Sequence, residues 1–295
     1  MKNKKLGIIL IIVFSLLAIF LTFFMIGLIN KKFKFPNFRF SGKVSSEIIL
    51  EETYENLFNE IKLDVAAGNI EIKESEDSKI KVTIYGDKEL LKYDDNDNKL
   101  YIKLESKQCI GFCFNQTINK VVIYLPQEYD EKINIENNYG DIEIGQFLKV
   151  NIDIREDCGD VSVLGGKEIR VKNNYGDIKI EEAYSVDLEE SAGDINIGKV
   201  YDAKIENNLG DININEVLNF VDIEEDCGDI KIDSLTINEN SNIINNLGDI
   251  KIGSTNEIYI DAETDLGDIK INENFRKSEI TLSIKNDCGD IKVNN

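Results

Sequence analysis

Five cysteines and a large excess of carboxylates are the groups in this chain that could do chemistry, and the absence of histidine limits what that chemistry is. Without His, no Ser-His or Cys-His nucleophile can be built. Cys109 and Cys113, in the run Cys109-Ile110-Gly111-Phe112-Cys113, could close a small disulfide or stand as two free thiols, and nothing nearby completes a four-ligand zinc site around them. Cys158, Cys227 and Cys288 each precede a Gly-Asp pair, where Tyr139, Tyr175, Ala192, Leu209, Leu247 and Leu266 stand in other copies, so Cys reads there as a small packing residue. Paired carboxylates can hydrolyse glycosides. Here they recur at one place in unit after unit, as solvated turns do, and the four arginines (Arg39, Arg155, Arg170, Arg276) form no cluster for an acidic sugar. The sequence is therefore read as non-enzymatic, with no catalytic residue and no cofactor. The one metal candidate is calcium held between acidic corners at Glu156, Asp157, Glu225 and Asp226, although the Gly-Gly-x-Gly-x-Asp pattern of calcium β-rolls is missing.

What positions these groups is a repeat. Glycine is followed by aspartate at Gly140-Asp141, Gly159-Asp160, Gly176-Asp177, Gly193-Asp194, Gly210-Asp211, Gly228-Asp229, Gly248-Asp249, Gly267-Asp268 and Gly289-Asp290, at spacings of 19, 17, 17, 17, 18, 20, 19 and 22 residues. After each pair comes an alternation such as Ile178-Lys179-Ile180, the period-2 mark of a strand with one buried face. A second short strand precedes each glycine. The glycine is expected at positive φ and the aspartate in an Asx-type turn. One unit cannot bury its own isoleucines, but units stacked about 4.8 Å apart can. The expected fold is all-β, a single-stranded parallel β-helix with coils of 17–22 residues over 127–295. Until the last coils, the residues three and two before the glycine alternate between Asn pairs (Asn137-Asn138, Asn173-Asn174) and acidic ones (Glu156-Asp157, Glu225-Asp226, with Glu190-Ser191 between). One repeat per coil is expected, because that interleaves neutral with charged rungs.

The front of the chain differs. After a short tail at 1–5, residues 6–29 carry no charge and make about 36 Å of helix, long enough to span a bilayer as an uncleaved signal anchor. Residues 30–46 interleave Lys31, Lys32, Lys34 and Arg39 with Phe33, Phe35, Phe38 and Phe40, which suits a membrane interface better than a nucleic acid. Residues 1–43 hold eight Lys or Arg and no acid, so of the net −21 the remainder carries −29. A body so acidic disfavours nucleic acid and anionic lipid. Basic residues on both sides of the span leave orientation open on charge alone. Residues 47–126 hold further strands, expected to cover the first end of the solenoid. Gly68-Asn69-Ile70-Glu71-Ile72 is an early copy of the repeat.

The run Gly68-Asn69-Ile70-Glu71-Ile72, then Lys81-Val82-Thr83-Ile84-Tyr85-Gly86, Leu100-Tyr101-Ile102-Lys103-Leu104, Val122-Ile123-Tyr124-Leu125-Pro126 and the Gly-Asp-Ile series resembles the bacterial "putative adhesin" family of unknown function over about 47–295. The resemblance implies a β-helical domain outside the cytoplasm, held at the cell membrane by the single span, and supplies no catalytic residues. The expectation is a surface interaction module for an envelope protein or a wall polymer, its specificity in the variable corners Gly145-Gln146-Phe147-Leu148, Leu164-Gly165-Gly166-Lys167, Glu181-Glu182-Ala183-Tyr184 and Asn272–Lys277. The alternatives are an accessory of an envelope-stress system contacting a membrane partner, or a plain spacer. The last coil, ending Ile291-Lys292-Val293-Asn294-Asn295, is the expected edge for self-association.

Overall fold

A computed structural model describes residues 43–96, 98–106 and 117–294. The expected span at 6–29, its flanks and Cys109 with Cys113 lie outside the described residues. Among the described residues, no helix is long and apolar enough to cross a membrane.

Residues 42–295 form one unit, a parallel β-solenoid. Consecutive repeats stack in register, Ile142 on Val161, Val161 on Ile178, Ile178 on Ile195 and Ile195 on Ile212, so one repeat makes one coil. Each coil is named here by its turn glycine. In the strand Ile178–Glu190, the buried positions are 178, 180, 183, 186, 188 and 190. Steps of two follow a flat side, and the two steps of three mark bends, so with the Gly-Asp turn the coil has three corners. The buried face is Ile- and Val-rich throughout, as strands covered on that face by their neighbours require. Side-chain volumes trade off along the stack. Phe147 lies in register with Gly166, Gly166 with Ala183 and Ala183 with Val200. A Cβ on Gly166 would come within 2.7 Å of Ile169 Cγ1.

The stacking order departs from the chain order at both ends. The Gly68 coil, formed by Glu60–Val65 and Gly68–Ser75, lies directly on the Gly140 coil. Its other side carries a coil made from the later segments Lys99–Leu104 and Thr117–Pro126. Antiparallel strands Ile80–Tyr85 and Leu91–Asp94 pair with that outer coil, and Ile48–Tyr54 extends the first of them, which closes this end. Residues 60–75, 99–104 and 117–126 thus belong to coils of the solenoid, and no boundary falls at 126/127. At the other end, the final segment, Thr281–Cys288 with Ile291–Val293, inserts between the Gly248 coil and the Gly267 coil. The last coil is therefore interior. The open edge is the Gly267 coil, Tyr259–Leu266 and Ile269–Ile271, and the expectation of a free edge at Ile291–Asn295 is corrected. The physical reason is that every Gly-Asp-Ile strand offers the same register, so a coil stacks as well out of order as in order.

Candidate functional site

The Gly-Asp corner comes first because everything else is hung on it. Each turn glycine except Gly267, at the open edge, donates its N–H to the carbonyl just before the next coil's glycine, as from Gly176 to Ala192 O and from Gly193 to Leu209 O. A Cβ on Gly193 would land against the carbonyl oxygen of Gly176, and one on Gly228 against that of Gly210. Close stacking thus demands glycine in every coil. Positive φ accompanies it at Gly140, Gly176, Gly210, Gly248, Gly267 and Gly289 only, and Gly159, Gly193 and Gly228 lie outside that region. The aspartates form a ladder. Asp194 N–H donates to Asp177 Oδ1 at 3.0 Å, Asp211 N–H to Asp194 Oδ1 at 2.8 Å and Asp229 N–H to Asp211 Oδ1 at 2.9 Å. The same bond links Asp141, Asp160, Asp177, Asp249, Asp290 and Asp268, each to its lower neighbour, with Asn69 starting the series at 3.3 Å. The carboxylate serves the next coil rather than its own turn, which differs from the Asx turn expected.

Three residues before each glycine, a second column runs inside the solenoid. In stack order it reads Asn137, Glu156, Asn173, Glu190, Asn207, Glu225, Asn245, Asn286 and Thr264, each in register with the next. The eight Asn and Glu members are at most 3% exposed. The two types solve the corner differently. Asn137 Nδ2 donates to Gly140 O at 3.1 Å and Asn173 Nδ2 to Gly176 O at 3.2 Å. Glu156 Oε1 instead accepts from Cys158 N–H, Glu190 Oε1 from Ala192 N–H and Glu225 Oε1 from Cys227 N–H, at 2.9–3.1 Å. Burial pushes the Glu156 carboxyl up to about 8 and those of Glu190 and Glu225 up to about 7.

Glu156 and Glu225 therefore point inward, while Asp157 and Asp226 are turned outward and accept from Asn174 Nδ2 and Asn246 Nδ2. The four calcium candidates do not come together, and among the described residues no group of three or more His, Cys, Asp or Glu is placed to hold a metal ion. Cys158, Cys227 and Cys288 are free thiols. The reordered end brings Cys227 and Cys288 two coils apart with Leu247 between them, still about 10 Å and beyond disulfide reach. Their column alternates large and small along the stack, with Tyr139, Tyr175, Leu209, Leu247 and Leu266 each about half exposed or more.

The bend after each Gly-Asp-Ile strand carries the side-chain variety. Three of the variable corners stack here and border an open cleft of ≈ 490 Å³, lined by Asp130, Leu148, Lys149, Lys167 and Tyr184. Tyr201 stacks on one face of Tyr184, with centroids 4.9 Å apart and planes 12° from parallel. On the other side lies the Gly159 coil, where Gly166 pairs with Ala183 and Glu168 with Ser185, which sets Lys167 beside Tyr184. Tyr184 is 56% exposed and Leu148 48%. Two lysines beside an aromatic face can take an anion attached to a ring or chain. Asp130 and Lys149 fall outside the corners singled out in the sequence; Lys149 directly follows one, and nothing in the sequence pointed to Asp130.

A family model, described as Toastrack DUF4097, matches residues 58–295. No curated protein matches. Among solved structures, a "putative adhesin" from Bacteroides fragilis NCTC 9343 is 19% identical, with 85% of this chain and 99% of that chain covered and a TM-score of 0.43. A "putative lipid binding protein" from Parabacteroides distasonis ATCC 8503 is 16% identical at 85% and 99% coverage, TM-score 0.43. A "putative adhesin" from Parabacteroides merdae ATCC 43184 is 14% identical at 85% and 98% coverage, TM-score 0.41.

Proposed function

The chain belongs to the Toastrack DUF4097 family, and from that premise we propose that it is a non-enzymatic interaction module, anchored in the cell membrane by residues 6–29 and carrying its solenoid outside. The observation that supports this reading is the cleft at the stacked corners. At the Gly-Asp corner the repeats use their polar side chains to hold coils to one another. At this bend the polar ends of Lys149, Lys167 and Tyr184 face solvent beside the exposed Leu148. Side-chain variation on a regular scaffold is how repeat proteins acquire binding surfaces. The partner is an envelope component, and because the net charge of the body repels dense polyanions, the two lysines beside Tyr184, with Asp130 in the same lining, suit a wall polymer whose anionic groups are isolated along its chain.

The test has two arms. A single cysteine at Asn295→Cys, in a chain without its native cysteines, is expected to react with a membrane-impermeant thiol reagent on intact cells. Reaction only after lysis would place the body in the cytoplasm and end the surface reading. Separately, the full chain is expected to retain purified anionic wall polymer, and Lys167→Glu with Tyr184→Ala to reduce retention at least about tenfold, the loss of roughly 1.4 kcal/mol of binding. Retention unchanged by both substitutions would remove the cleft from the account.

A further inference from the structure

The interior column has more acceptors than donors. Asn137, Asn173, Asn207, Asn245 and Asn286 each leave Oδ1 buried with no hydrogen-bond partner among the described residues, and Glu156 and Glu190 each leave Oε2 in the same condition. These atoms belong to one line of residues in consecutive register, with every glutamate set between two asparagines. Two facing oxygens, neither carrying a hydrogen, are costly to bury together. A carboxylic acid O–H facing an amide oxygen removes both defects at once, because one proton satisfies two acceptors.

We propose that Glu156, Glu190 and Glu225 are neutral acids in the folded solenoid, each donating its O–H to an asparagine Oδ1 of a neighbouring coil, so that the column is a set of proton-binding sites coupling solenoid stability to pH. For each site the proton comes from solvent, converts a carboxylate to a carboxyl, and is returned when the coils separate. Asn207 already shows contact across the column, donating Nδ2–H to Glu225 Oε2 at 2.8 Å. In the next coil up, Asn245 Oδ1 then accepts from the Glu225 O–H, as Asn173 Oδ1 accepts from that of Glu156 and Asn207 Oδ1 from that of Glu190. The charged groups acting most on the three are all carboxylates: Asp141 and Asp157 on Glu156, Asp177 on Glu190, and Asp211 and Asp226 on Glu225. They add to burial in favouring the neutral form, and together these outweigh the backbone N–H and asparagine donors that favour the charged one. No cation competes for the site among those groups.

The sign follows from linkage. The folded carboxyls hold protons more tightly than the unfolded ones, whose ordinary value is 4.5. Their contribution is full below about pH 4.5 and is lost as the pH rises through about 7 to 8, where all three ionise in both states. Unfolding the full chain with urea in detergent should therefore show a midpoint that falls steadily from pH 5 to pH 8. Unfolding in that window should release roughly three protons to solvent. Glutamine mimics the neutral acid, so E156Q, E190Q and E225Q combined should flatten the slope between pH 5 and 8 and raise the midpoint at pH 8 above that of the parent. An infrared difference spectrum at pH 6 should show protonated-carboxyl absorption that the triple variant lacks. A slope unchanged in the triple variant would overturn the proposal. So would a midpoint at pH 8 that rises more with added sodium or calcium in the parent than in the triple variant, because that excess over general screening would make the orphaned oxygens cation ligands. Should the triple variant fail to fold, absence of the carboxyl band in the parent would be decisive against it.

Discussion

At the scale of the residue, the Gly-Asp pair divides its work in a way that substitutions can separate. The aspartate is present because the N–H that follows the turn has no backbone acceptor, and the carboxylate of the coil below provides one. An amide oxygen does the same for Asp141, since Asn69 Oδ1 accepts from its N–H. Asp194→Asn should thus leave the urea midpoint nearly unchanged, while Asp194→Ala, which strips the acceptor from Asp211, should cost about 1 kcal/mol. Gly228→Ala should cost about 3 kcal/mol or more, since its Cβ has only the Gly210 carbonyl oxygen to displace. Equal losses from Asp194→Asn and Asp194→Ala would show that charge, not an acceptor, is what the ladder needs. Much of this corner was legible in the sequence, because Gly-Asp recurs without exception. The direction of the aspartate bond was not, since an Asx turn and an inter-coil ladder use the same residue at the same place. The buried glutamates were half legible. Ile152, Ile154 and Glu156 alternate on one face, which puts Glu156 inside. Reading Glu156-Asp157 as an acidic pair hid the fact that adjacent strand residues face opposite ways.

At the scale of the element, the coil was legible and its place in the stack was not. The period-2 alternation and the spacing of the glycines specify a strand, a turn and a coil length. They do not specify neighbours, because Ile250-Lys251-Ile252, Ile269-Lys270-Ile271 and Ile291-Lys292-Val293 are nearly the same strand. The order is set by the connections. Asn272–Lys277 is the longest corner at this end, and it returns the chain past the Gly267 coil so that Thr281–Cys288 can enter between two coils already made. The first coil is held in the same way beneath Lys99–Leu104 and Thr117–Pro126. Both ends of the stack are thereby clamped, where a serial solenoid would let them fray. Ending the chain after Ser278 removes the inserted coil. The expected result in hydrogen exchange is loss of protection over residues 258–271, whose strands pair only with the missing segment, with the Gly159 to Gly210 coils unaffected. Protection retained over 258–271 would mean that this coil re-docks on the Gly248 coil, and that insertion is a matter of order rather than of support.

At the scale of the whole molecule, the sheet edge left open at the Gly267 coil must be weighed against the charge the body carries. Ile269 is 43% exposed although it occupies a position that is buried in the other coils, and Leu266 beside it is 70% exposed. An unpaired edge with apolar side chains invites a second copy. The same edge, however, presents Asp261, Glu263, Asp265 and Asp268 against Lys270, on a body of net −29 over residues 44–295. Two such edges meeting would bring like charges within a few ångströms, and that repulsion is strong at low ionic strength and screened within about 10 Å at 0.1 M salt. Charge therefore guards the edge that hydrogen bonding would close. In sedimentation, the full chain in detergent should remain monomeric at low salt. Asp265→Asn with Asp268→Asn should permit association that strengthens as salt is added. The repulsion is then weaker, with Asp261, Glu263 and the net charge of the body left for salt to screen, while the bond from the backbone N–H at position 268 to Asp290 Oδ1 does not involve the substituted side chain and stays in place. A parent chain that dimerises at low salt would show that edge pairing outweighs the repulsion, and the solenoid would then be one half of a longer rod.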